Sequence, residues 1–72
     1  MKYMSIICHI LDVRKEQEWL TNEVGVTIFK IIKEDEYDET NIRRIIFCVP
    51  DEEFETMLKL KYPPGIFEEF IE

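Results

Sequence analysis

Four side chains in this 72-residue sequence are of the types that serve as nucleophile, base or soft metal ligand: Ser5, Cys8, His9 and Cys48. An activated serine needs its base within hydrogen-bond reach. Ser5 and His9 are four residues apart in an extended stretch, which puts both on one face but about 13 Å apart at roughly 3.3 Å per residue. Cys8 and His9 are adjacent, so their side chains point to opposite faces. The two cysteines and the histidine show neither C-x-x-C nor H-x-x-x-H spacing, and no metal site is expected. Gly25 and Gly65 are the only glycines, so no phosphate-cradling loop exists. The sequence therefore predicts a protein that is not an enzyme and carries no cofactor. Cys8 and Cys48 read as free, partly buried thiols in a reducing, cytoplasmic setting.

The remaining candidate chemistry is carboxylate. Sixteen acids face nine bases, a net charge of −7. Residues 34–55 hold nine acids against Arg43 and Arg44, so this segment carries −7 by itself. The acids are Glu34, Asp35, Glu36, Asp38, Glu39, Asp51, Glu52, Glu53 and Glu55. They lack the D-x-[DN]-x-[DN]-G spacing and glycine of a calcium loop. Direct nucleic-acid binding needs a basic face to release counterions from phosphate, and an anionic membrane attracts basic segments; the acidity speaks against both. Self-repulsion among nine clustered carboxylates disfavours the compact state, whereas mixed signs would serve solubility as well. The cluster therefore reads as a partner-binding surface for a basic protein. A second class of function is an interaction module that binds through apolar surface, with Trp19, Phe67, Phe70 and Ile71 as its contacts.

These residues need elements to position them. Residues 3–12 alternate with period two and read as a strand. Met4, Ile6, Cys8 and Ile10 share one face, and Tyr3, Ser5, Ile7, His9 and Leu11 share the other. That second face is mixed rather than polar, as in a central strand or one lying against a partner. Residues 14–22 read as a short helical turn or a loop. Residues 24–33 are rich in β-branched side chains and read as a second strand, the rival being a helix through Leu20, Val24, Ile28 and Ile31. Residues 34–41 form a polar loop, and residues 42–49 a third strand. Asp51 is a good N-cap for a helix over 51–62, with Glu52 and Glu53 at the positive end of its dipole. Its apolar stripe is Phe54, Met57, Leu58, Lys61 and Tyr62, and Pro63-Pro64-Gly65 stops it. Residues 66–72 space apolar side chains as a short amphipathic helical tail or a docking segment. The sum is a single domain over 1–72 of class α+β: a three-stranded antiparallel sheet, one main helix on a face, and a short C-terminal helical segment. No run of about 20 apolar residues occurs, and the N-terminal run lacks a small-residue cleavage site. A core this small and two open sheet edges favour a homodimer formed by sheet extension.

With its acids at Glu34-Asp35-Glu36-Tyr37-Asp38-Glu39 and Asp51-Glu52-Glu53-Phe54-Glu55, the chain resembles small acidic phage-encoded inhibitors of host proteins, of the DNA-mimic type. The resemblance lies in size and charge layout. It implies a non-enzymatic inhibitor in a host cytoplasm whose acidic surface blocks a basic DNA-binding host protein, the nucleoid protein HU being the leading example. Arg43 and Arg44 depart from an uninterrupted acidic surface unless neighbouring acids pair with them.

Overall fold

A computed structural model describes residues 2–71. The chain runs β1 (Lys2–His9), a 3-10 turn (Ile10–Asp12), α1 (Val13–Glu18), a π turn (Trp19–Val24), β2 (Thr27–Lys33), β3 (Ile42–Val49), α2 (Glu52–Lys61) and β4 (Phe67–Glu69). The strands form one sheet in the order β2-β3-β1-β4, with every neighbouring pair antiparallel. β1 and β2 flank β3, and β3 and β4 flank β1. Two strand–helix–strand units are thus interleaved, which is the split βαβ arrangement of ferredoxin-like domains.

Alternation along the strands decides what is buried. Met4 and Ile6 of β1, Ile45, Phe47 and Val49 of β3, and Phe67 of β4 meet Leu20, Val24, Val26, Leu58 and Tyr62 from the helical layer. Both helical segments cover this one face of the sheet. The opposite face, with Tyr3, Ser5, Ile7 and His9 beside Ile42, Arg44, Ile46 and Cys48, has no helix over it.

The α+β class is as the sequence predicts, but the sheet has four strands rather than three. The expected C-terminal helical segment is β4, paired with Met4, Ser5 and Ile6. Seven residues make a marginal helix, whereas the free edge of β1 offers unpaired backbone groups. A turn in which Ile66 and Phe67 donate to the Pro63 carbonyl (2.9 and 3.1 Å) aims the chain at that edge.

The second strand begins at Thr27 rather than Val24. Gly25 has φ +90° and closes the π turn, its N–H donating to the Leu20 carbonyl at 2.9 Å. The first strand ends at His9, whose Nδ1 accepts from the Leu11 N–H at 3.1 Å and caps the 3-10 turn. In α2, Leu58 is buried and Phe54 half-buried, and Tyr62 just past its end is buried, but Met57 is exposed. The stripe is narrower than its spacing suggests, because α2 meets the sheet along a single line of side chains.

Candidate functional site

The nine carboxylates fall at opposite ends of the sheet. Glu34 to Glu39 lie in the loop before β3, and Asp51 to Glu55 follow its far end. The eight residues of β3 between them extend roughly 25 Å. The two clusters form separate acidic spots, not a stripe, and the sides of β3 itself carry arginine, isoleucine and cysteine.

Five of the nine have work to do inside the chain. Glu34 pairs with Arg44. Asp38 grips the Arg43 guanidinium with both oxygens, the Nη2–Oδ2 bond at 2.9 Å. That bond, more than simple attraction, holds the Asp38 carboxyl below the usual carboxylate range. Asp35 ties its own loop, accepting from the Thr40 hydroxyl and from the backbone N–H groups of Glu39 and Thr40. The Thr40 bond is the main cause of its lowered pKa. Asp51 accepts from the N–H groups of Glu53 (3.0 Å) and Phe54 (3.4 Å), the expected N-cap. Glu55 binds Lys2 at 3.0 Å and Lys59 at 3.4 Å, and the Lys2 bond lowers its pKa most. The arginines that interrupt the acidic segment are thereby paired with its acids. Glu36, Glu39, Glu52 and Glu53 are left exposed, two at each end of the sheet, with no ion pair among the described residues.

The four nucleophile and ligand candidates are held apart. Ser5 is fully buried between Arg44, whose Nη1 donates to it at 2.7 Å, and the Glu68 carbonyl, to which it donates at 3.4 Å. His9 serves as a cap. Cys8 is on the covered face, where burial, with help from Glu16 and Asp12, pushes its thiol up. Cys48 is on the uncovered one. Both thiols are free. Among the described residues no three His, Cys, Asp or Glu side chains gather as a metal site.

Two open clefts flank the helices. One of about 250 Å³ lies between Lys2, Pro50, Asp51 and Glu55. The other, about 310 Å³, lies between Glu16, Trp19, Glu23 and Lys61. Neither holds a nucleophile beside a base. Trp19 itself is structural: it packs edge-on against Tyr62 at 6.0 Å and carries the Lys61 ammonium 3.4 Å above its ring. The Tyr62 hydroxyl donates to Glu16, and burial with this bond raises the tyrosine pKa strongly. Phe67 is also core. Of the expected apolar contacts, Phe70 is half-buried and Ile71 is exposed.

What the sequence did not single out is the uncovered sheet face. Tyr3 and Phe29 lie with ring centroids 4.9 Å apart, and Lys30 Nζ sits 5.3 Å from the Phe29 ring and 5.6 Å from that of Phe70. The mixed second face of residues 3–11 was the available signal, but Phe29 and Phe70 join it only through strand pairing. No helix among the described residues is long and apolar enough to cross a membrane. Comparison of the chain with protein-family models, with curated proteins and with solved structures finds no match.

Proposed function

We propose that this protein is a non-enzymatic binding domain that occupies a basic partner protein. In its sharpest form it is a cytoplasmic inhibitor that blocks the nucleic-acid-binding surface of a host protein such as HU. The observation that carries this is the set of four exposed carboxylates, Glu36, Glu39, Glu52 and Glu53, that no internal ion pair consumes. Set on a chain of net charge −7, they steer a basic surface toward the two ends of the sheet. The pairs stand roughly 25 Å apart, so they suit a partner with two basic patches at that spacing rather than one deep basic pocket.

Calorimetric titration of purified HU with the full chain tests it. Affinity is expected to fall about tenfold or more between about 50 mM and about 500 mM salt. The four-fold charge reversal Glu36→Lys, Glu39→Lys, Glu52→Lys, Glu53→Lys should abolish binding with the circular dichroism spectrum unchanged. Binding by that variant at wild-type strength overturns the role of these carboxylates, and no binding of HU at low salt overturns HU as the partner.

A further inference from the structure

The uncovered sheet face balances its charges among the described residues, although the chain as a whole is acidic. Its described ionic groups are Lys30 and Arg44 against Glu34 and Glu68, on a chain whose net charge is −7. Its apolar groups are Tyr3 (38% exposed), Phe29 (45% exposed) and the half-buried Phe70, with half-buried Ile7, Ile32 and Cys48 around them.

We propose that this face is the interface of a symmetric homodimer, with the two sheets packed face to face. Two observations favour a second copy. Charge is the first: two chains of −7 repel on most approaches, and a neutral face removes that repulsion where they touch. The second is that the central charge is already satisfied. Arg44 is bonded to Ser5 and Glu34 within its own chain, so covering it leaves no orphaned guanidinium. Area sets the strength of the contact. Strands of 8, 7, 8 and 3 residues, about 4.8 Å apart and rising about 3.3 Å per residue, give a footprint of about 410 Å² in projection. Specific interfaces take about 800 Å² of accessible surface per partner. The dimer is therefore a weak one.

The edges offer less than the face. β2 has a bulge between Ile28 and Lys30 and carries Lys30 and Lys33, features that obstruct strand addition. The opposite edge, β4, is three residues long. Aromatic side chains on an open sheet also stack nucleic-acid bases, but that mode needs a positive groove for the backbone. A balanced face on an acidic chain does not supply one.

Sedimentation equilibrium of the full chain, from low micromolar to near-millimolar concentration, tests the proposal. Association should strengthen with salt, because screening removes the repulsion between copies. That sign is opposite to the one expected for HU binding, so the two proposals fail separately. Phe29→Glu and Tyr3→Ser should each weaken the dimer by roughly thirtyfold. Leu60→Glu, at an 85% exposed position of α2 on the other side of the sheet, should leave it unchanged. If circular dichroism shows Phe29→Glu to be unfolded, Tyr3→Ser decides. A monomer at near-millimolar concentration overturns the proposal, as does a dimer that the folded face variants leave intact. So does saturable binding of a single-stranded deoxythymidine oligonucleotide that a face variant abolishes.

Discussion

Gly25 shows how much one residue decides. Its φ of +90° lies where an L side chain is strained, although a Cβ there would meet nothing within 4 Å. The cost of Gly25→Ala is therefore conformational, about 1 kcal/mol, read as a lower midpoint in urea with an unchanged slope. The titratable residues set a pH window in the same assay. Asp35, Asp38 and Glu55 have lowered pKa values in the fold, through bonds to Thr40, Arg43 and Lys2 respectively. Their contribution is complete above about pH 4.5 and is lost as the pH falls through the folded values. Tyr62 and Cys8 are raised, chiefly by burial. Their contribution is complete below about pH 8.5 and is lost progressively as the pH climbs past the ordinary thiol and phenol values. Urea midpoints should therefore form a plateau between these limits and drop on both sides. A midpoint still undiminished at pH 3 would show that the Asp38–Arg43 and Asp35–Thr40 bonds contribute nothing.

At the scale of elements, β4 is the piece whose identity the residue pattern missed, since its apolar spacing reads as helical. Phe67 is buried and stacks on Phe47 with centroids 6.4 Å apart. Phe67→Ala should cost about 3 to 4 kcal/mol by opening the core at the sheet edge, visible as a large fall in thermal midpoint. Truncation after Pro63 removes the whole strand, so it reports on folding before it reports on binding. The start of α2 was legible, because Asp51 followed by Glu52 and Glu53 is chemistry local to one turn. Asp51→Ala should cost about 1 kcal/mol, measured by chemical denaturation. The contrast is physical: a cap bonds to residues two and three positions away, while β4 is defined by partners more than sixty positions away, at Met4, Ser5 and Ile6.

On the scale of the whole molecule, the carboxylates sort by what surrounds them. Arg43 and Arg44 look like interruptions of an acidic segment until the loop folds Asp38 and Glu34 back onto them. Linear charge density therefore overstates the acidic surface that residues 34–55 present to a partner, since only Glu36, Glu39, Glu52 and Glu53 of their nine acids stay exposed and, among the described residues, unpaired. The face-to-face dimer makes a further prediction at this scale. Binding between folded copies stabilises them by mass action, so the thermal midpoint should rise with protein concentration for the wild type and stay flat for Phe29→Glu. A concentration-independent midpoint for both would remove the dimer as a contributor to stability.

The α+β class, the alternation that turns Met4, Ile6 and Cys8 to the core face, the helix cap at Asp51 and the net charge all follow from the sequence itself. Each depends on neighbours a few positions apart or on composition. The tertiary structure decided the fourth strand, the left-handed turn at Gly25, the pairing of Arg43 and Arg44, and the gathering of Tyr3, Phe29 and Phe70 on one uncovered face. Strand pairing, not sequence spacing, brings those three rings and the ion pairs of Arg44 together, and a one-residue bulge in β2 is enough to change which side chains share a face.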